Sequence, residues 1–450
     1  MDLFRSGCSC ILISVALLSA CSSPKKVVAK VDIVEPPAPA VDTPVVLPDR
    51  ASTDTFLQNL LKENPALFDS VTAHKKDWNV QFIYTSIDRG ANGMPNLKNY
   101  YFNVNPENYF YPASTVKFPI TLLALQKLNE LKEKGIDRNT TMITEAGSAT
   151  QTPVYNDPTT ADGKPTIAQY IKKILMVSDN NAFNRLYEFL GQGYINNELH
   201  RKGYNDAQIL HRLEVSLSPE ANRETNPIKF LNSDGSVLYD QAIQTNTTQY
   251  DIRHDSLGKG YMKDGKLVDG PMDFSKKNRI SLEDLHNILI SLVFPEKVTA
   301  SQRFNLTADD RQFILKYMSQ FPTESTYPPY SADTATYFPA YCKFLLLGGD
   351  PALTQNAVPK NIRIFNKPGD AYGQMLDIAY IVDLEKGVEF FLSAVIYCNS
   401  DGIVNDDQYD YKTIGLPFMK NLGKVIYDYE VKRPKTYLPD LSAIKFIYDK

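Results

Sequence analysis

The stretch Tyr111-Pro112-Ala113-Ser114-Thr115-Val116-Lys117 sets a lysine three residues after a serine. Three residues is close to one helical turn, so on a helix the two side chains share a face. A serine hydroxyl is a poor nucleophile until a neighbour takes its proton, and an amine so placed can take it. The pattern alone is unspecific, because Ser-x-x-Lys recurs at Ser22/Lys25, Ser23/Lys26, Ser256/Lys259 and Ser442/Lys445. Two further polar clusters follow in the chain, Ser178-Asp179-Asn180 and Lys367-Pro368-Gly369. Taken alone, the first of these reads best as a helix N-cap. A free lysine, with a pKa near ~10.4, is a weak base at neutral pH; burial and a second cation such as Lys367 both depress that value.

Hydrophobic period shows which elements must carry these clusters. Phe118, Leu122, Leu125 and Leu128 form the apolar stripe of a helix that starts near Ser114 and stops at Lys132-Glu133-Lys134-Gly135. Pro119 predicts a bend in that helix or a later start. A second helix follows Pro165, with Ile167, Ile171, Ile174 and Leu175 on one face, and the period restarts at Phe183, Leu186 and Leu190 until Gly191. Ser178-Asp179-Asn180 falls at that junction. Ser281-x-x-Asp284 and Thr307-x-x-Asp310 resemble helix starts. Phe56, Leu57, Leu60, Leu61, Leu67 and Phe68 suggest an N-terminal helix bent at Pro65.

Residues 80–84 read as a strand, residues 362–367 as one ending at Pro368-Gly369, and residues 377–384 and 388–398 as a β-hairpin. A last helix spans residues 411–429. The pattern is that of an α/β sandwich, its sheet assembled from both chain ends and packed with a helical middle. Residues 223–278 are polar and turn-rich, with Asp264-Gly265 as a hairpin turn, and the Tyr/Pro-rich residues 322–360 show no period.

The 450 residues carry a net charge of -4, which gives no global case for nucleic-acid binding. Hydrophobic content of 43% beside 22% charged residues suits a chain that buries a core. His74, His200, His211, His254 and His286 show no metal-ligand spacing, so neither metal nor cofactor is expected. A monomer is expected.

Arg5 and the apolar run from Ile11 to Leu18 fit an export signal, too short to span a bilayer. Leu18-Ser19-Ala20-Cys21 is similar to a bacterial lipobox, which implies a signal peptide over residues 1–20 and lipidation of Cys21. The protein is then expected in the bacterial cell envelope, lipid-anchored to the membrane and facing the periplasm. Residues 21–52, rich in proline, read as a tether, and residues 53–450 as the catalytic domain with insertions near 223–278 and 322–360. Cys342 and Cys398 remain in the body, as a disulfide or as two free thiols.

Together, Ser114-x-x-Lys117, Ser178-Asp179-Asn180 and Lys367-Pro368-Gly369 resemble the Ser-x-x-Lys, Ser-Asp-Asn and Lys-Thr-Gly set of the class A β-lactamases and penicillin-binding proteins. Order and context match over roughly residues 55–430, and Tyr372-Gly373 and Asp377-Ile378-Ala379 look like the family's continuation. The resemblance implies a β-lactamase-like (DD-peptidase/transpeptidase-like) fold with an antiparallel five-stranded sheet. It implies Ser114 as nucleophile, Lys117 as base, Ser178 as proton relay, Lys367 as anchor for a substrate carboxylate, Asn180 as a hydrogen-bond partner of the acyl side chain, and the N–H groups of Ser114 and Asp370, beside Gly369, as oxyanion hole.

Arg212-Leu213-Glu214-Val215-Ser216-Leu217-Ser218 looks like the loop whose glutamate activates the deacylating water, which makes Glu214 the candidate base. Two residues depart from the family pattern: Ser218 stands where a loop asparagine helps hold that water, and Pro368 replaces threonine. The expected activity is opening of β-lactam amides through an acyl-serine. The alternatives are a penicillin-binding protein or D-alanyl-D-alanine peptidase acting on peptidoglycan-derived peptides with slow deacylation, and a non-catalytic cell-wall-binding lipoprotein.

Overall fold

A computed structural model describes residues 53–449; the signal peptide, Cys21 and the whole of the tether lie outside the described residues. The expected bent N-terminal helix is two helices, α1 (Thr55–Lys62) and α2 (Pro65–Thr72). Pro65 has no amide to continue a helix, and it takes the opening position of α2, where an amide would have no partner anyway. The chain then forms a hairpin of β1 (Gln81–Arg89) and β2 (Pro95–Phe102), in register from Phe82↔Phe102 to Arg89↔Pro95. The aromatic run Tyr100-Tyr101-Phe102 is the end of β2.

A tight 3-10 turn over Ala113–Val116 precedes α3 (Lys117–Glu130), so the helix starts late, as Pro119 requires. Pro119 is its third residue, within the turn whose amides have no helical partner. α3 is buried from Lys117 to Leu128, and the chain leaves it through Gly135, at φ 71. After β3 (Thr141–Thr144) come α4 (Ile167–Val177), α5 (Asn180–Leu190), α6 (Gln192–Arg201) and the short α7 (Pro219–Arg223).

The polar insertion is ordered into strands. β4 (Ile228–Leu231) and β5 (Val237–Gln241) pair with β3 as a sheet of order β3-β4-β5. β6 (Ser256–Leu257) pairs with β9 (Met272–Asp273), and β7 (Gly260–Lys263) with β8 (Lys266–Asp269). Asp264 and Gly265, at φ 50 and 73, make the β7–β8 turn as expected. Ser281 and Thr307 cap α8 (Leu282–Val293) and α9 (Ala308–Ser319), also as expected. Residues 322–360 hold only short 3-10 turns.

β10 (Ile362–Ala371), β11 (Gln374–Asp383) and β12 (Val388–Tyr397) complete an antiparallel sheet of order β10-β11-β12-β1-β2. β13 (Ile403–Val404) pairs in parallel with β7, and α10 (Leu416–Lys432) closes the fold. Against expectation, β10 does not end at Pro368-Gly369 but stays paired to Ala371↔Gln374. The reason is its place at the sheet edge, where the proline nitrogen faces away from β11 and owes no ladder hydrogen bond.

Both faces of the sheet are covered. Ile83, Leu376, Ile378 and Phe391 pack against Leu122, Ile174, Leu186, Leu289 and Ile314 of the helical middle. Phe82, Tyr84, Ile381 and Phe390 pack against Leu57, Phe68, Phe418 and Leu422 of the terminal helices. A sheet buried on both sides has apolar residues at successive positions, which is why β11 and β12 stood out as strong runs.

Candidate active site

Ser114 sits half-buried in the 3-10 turn before α3. The turn is closed by Thr115, whose hydroxyl and amide both donate to Pro112 O, at 2.6 and 3.0 Å. Ala113 lies at φ 46, in the left-handed region that costs a residue with a Cβ roughly 1–2 kcal/mol.

Lys117, fully buried, reaches back along the helix, and its Nζ lies 2.8 Å from Ser114 Oγ. The same ammonium is 3.2 Å from Ser178 Oγ and 2.5 Å from Asn180 Oδ1, and it also donates to Ser178 O. Burial, and then the charge of Lys367, hold its pKa well below the ordinary lysine range.

Ser178 can face Lys117 because it ends α4 in the left-handed conformation, φ 61, turning both its hydroxyl and its carbonyl inward. The expected cap is present too: Asp179 Oδ1 accepts from Ala182 N at 2.7 Å and starts α5. The triplet therefore divides its work, with Asp179 capping while Ser178 and Asn180 address Lys117.

Lys367, also fully buried, donates to Ser178 Oγ at 2.8 Å and to Pro368 O at 2.6 Å. Burial lowers it to about 8. Ser178 Oγ thus joins two amines, and Ser114, Lys117, Ser178 and Lys367 form one continuous hydrogen-bonded chain.

Gly369 brings β10 against the Ser114 turn. A Cβ there would stand 2.6 Å from Ser114 N, 2.8 Å from Thr115 N and 3.2 Å from Pro112 O. In an antiparallel ladder alternate residues turn their N–H and C=O groups off the edge, and Asp370 shares the phase of Ile364 and Pro368, whose carbonyls accept from Lys343 and Lys367 rather than from β11. Its amide consequently points off the sheet next to Ser114. The Asp370 side chain is exposed.

Glu214 is not brought into the cluster. It lies exposed on its loop at φ 54 and accepts no hydrogen bond from the described residues, though its charge is felt at Lys117. The loop is fastened just before it. Asn184 pairs with both backbone groups of Leu213 at 2.9 Å, and buried Arg212 donates to Glu188 Oε1 at 2.9 Å. Ser218, at the position of the loop asparagine, caps α7 by accepting from Ala221 N at 3.1 Å.

Several residues beside the site were given no role in it by the sequence. Cys342 is a buried free thiol, as is Cys398; burial pushes it up to about 11 against the charges of Lys367, Lys343 and Lys117. Lys343 Nζ donates to Met318 O, Ile364 O and Asn366 Oδ1, and Asn366 Nδ2 donates to Asp377 Oδ1 at 2.9 Å. A charge inside the apolar run of β11 was the available signal, since a buried carboxylate needs partners. Tyr341 stands near both Asp370 and Glu214. On the other side Tyr111, Phe274, Tyr372 and Val404 cluster, which makes the 223–278 insertion part of the site wall. Among the described residues no group of three or more His, Cys, Asp or Glu side chains converges as a metal site would.

Fold and site define a serine hydrolase of the β-lactamase and penicillin-binding fold. A model of the beta-lactamase enzyme family, Beta-lactamase2, matches residues 67–429, and the chain belongs to that family. Similar solved structures include a β-lactamase from Sphaerobacter thermophilus, at 12% identity over 81% of this chain and 96% of that one, with a TM-score of 0.43. PBP-A in an acyl-enzyme complex with penicillin G is 15% identical over 83% and 96%, TM-score 0.43. A class A β-lactamase from Clostridium kluyveri is 14% identical over 80% and 97%, TM-score 0.43. No curated protein sequence matches the chain.

Proposed function

We propose that the chain is a serine hydrolase of the class A β-lactamase type, opening β-lactam amides through an acyl-Ser114 intermediate. The observation that carries this reading is the 2.8 Å approach of a buried, easily deprotonated Lys117 to Ser114 Oγ. Neutral Lys117 takes the hydroxyl proton as Oγ bonds to the carbonyl carbon. The oxyanion then rests on the amides of Ser114 and Asp370. As the C–N bond breaks, the proton passes from Lys117 through Ser178 Oγ to the leaving nitrogen, with Lys367 stabilising the charge around Ser178. Glu214 draws a proton from the water that attacks the acyl carbon, the bond from that carbon to Ser114 Oγ breaks, and the proton passes on to Oγ, restoring both the serine hydroxyl and the carboxylate.

A second reading is a penicillin-binding protein or D-alanyl-D-alanine peptidase that deacylates slowly. It is favoured by the exposure of Glu214 and by Ser218, whose hydroxyl is used as a cap. A non-catalytic binder has no use for a depressed lysine beside a serine, which argues against the third expectation. Anchoring in the cell envelope through lipidated Cys21 completes the proposal, supported by Leu18-Ser19-Ala20-Cys21.

Incubation with a penicillin, followed by intact mass over time, tests the reading. The expected result is an adduct on Ser114 that decays as product accumulates and is absent in Ser114→Ala. A lasting adduct selects the second reading. No adduct on the unmodified chain, or an undiminished one in Ser114→Ala, overturns both.

A further inference from the structure

The outer edge of β10 is poorly equipped to hold a carboxylate. Lys367 has no exposed surface, and its ammonium is committed to Ser178 Oγ and Pro368 O. Pro368 offers neither a hydroxyl nor an amide. Two residues further along the same edge stands Asp370, exposed, accepting no hydrogen bond and joining no ion pair among the described residues. Burial raises its carboxyl and the charges of Lys367 and Lys117 pull it back down, which places it beside the reacting centre and not on a distant rim.

Beyond Asp370 opens a groove of about 720 Å³ lined by Tyr372, Asn405, Asp407, Tyr409 and Tyr411. The phenol oxygens of Tyr411 and Tyr409 accept from Gly373 N and Asn405 N, each at 2.8 Å, and their rings lie 5.3 Å apart. Two ring faces are thereby held in place next to carboxylates, an arrangement that suits an ammonium or guanidinium group. Asp407 is likewise exposed. Besides Lys117 and Lys367, the nearby cations are Lys412, exposed on the groove wall, and Lys277, whose ammonium rests 5.8 Å over the Tyr372 ring.

We propose that Asp370 is a specificity-determining residue, disfavouring substrates that carry a carboxylate beside β10 and favouring those that carry an ammonium group there, between Asp370 and the Tyr409/Tyr411 pair. This rests on the acyl-Ser114 reading and narrows its substrate class to β-lactams or peptide amides with a cationic group on that side. One exposed carboxylate, partly screened by solvent, changes such a preference by about tenfold.

Two probe series test the inference on the full chain. One is a penicillin as its free acid, its methyl ester and its aminoethyl amide. The other is a thioester of one acyl group whose leaving thiol carries a carboxylate, a methyl ester or an ammonium. Adduct formation on Ser114 is followed by intact mass, with a fluorophosphonate as an independent label for the nucleophile in every variant. The ammonium member is expected to react about tenfold faster than the carboxylate member in at least one series. Asp370→Asn should bring that ratio toward one, and Asp370→Glu should preserve it.

Equal rates, a preference for the carboxylate, or an unchanged ratio in Asp370→Asn would overturn the role of Asp370 while leaving the acyl-enzyme reading standing. Labelling by the fluorophosphonate with no adduct from either series would remove that reading, and this inference with it.

Discussion

Gly369 and Ser114 meet backbone to backbone, so closely that a Cβ on Gly369 would stand 2.6 Å from the Ser114 amide nitrogen. The contact fixes the edge of β10 against the turn that carries the serine, and with it the spacing of the two amides proposed to receive the oxyanion. Gly369→Ala must push backbone from backbone, since the opposing atoms belong to no flexible side chain. Acylation by penicillin should fall by at least about 100-fold, as for loss of an oxyanion donor, with about 1–3 kcal/mol of destabilisation. Adduct formation and thermal unfolding, measured on the same preparation, check the two effects.

The pH profile of acylation reports on the two lysines. Lys117 acts as base only when neutral, so the rate should rise as pH passes its lowered pKa and level off well below the ordinary lysine range. Lys367 loses its charge above about 8, which gives a falling limb there. In Lys367→Ala the second cation is gone, Lys117 holds its proton to higher pH, and the rising limb moves up. Burial, the larger cause, remains, so the shift is partial. The falling limb near 8 should disappear from that profile.

Glu214→Gln separates the two halves of the reaction. Acylation should change by no more than about twofold, whereas the adduct should last at least tenfold longer, in line with removal of a general base. A lifetime unchanged from the unmodified protein would reject Glu214 as the deacylating base.

His286 is fully buried between hydroxyls, Thr85 Oγ1 at 2.8 Å and Ser393 Oγ at 2.7 Å, and burial lowers it to about 3. Between that value and the ordinary 6.5 the unfolded chain binds a proton that the folded chain refuses. Its contribution is therefore complete above about pH 6.5 and lost progressively toward pH 3, on the order of 3–5 kcal/mol in total. Asp377, raised to about 6 by burial, acts with the opposite sign over part of that range. The contribution of His286 is thus the difference in urea-unfolding free energy between the unmodified chain and His286→Gln at several pH values, which should shrink on acidification.

The three polar clusters that meet at Ser114 could be read from the sequence because the acyl transfer proposed for them constrains side-chain types at separated but recognisable positions. Helix starts at Ser281 and Thr307, the Asp264-Gly265 turn and the late start forced by Pro119 were legible for a similar reason, as each follows from local backbone chemistry. The left-handed turn of Ser178 was hidden, because serine more often caps a helix start than ends a helix in that conformation. β10 looked as though it ended at Pro368, since only its position at the sheet edge, a tertiary fact, excuses the proline. Tyr341 and Cys342 come from a segment without any period, so nothing local placed them beside Lys367 and Asp370.

Pro368 has a consequence away from chemistry. An uncovered edge strand is a template on which another copy can add, the usual start of sheet-by-sheet polymerisation. Along β10 that template is spoiled point by point: Ile364 O is taken by Lys343, Pro368 has no proton to offer, and its carbonyl is taken by Lys367. An edge with such gaps is a poorer template for a second copy, so the residue expected to cost a substrate one contact also works against sheet-by-sheet stacking.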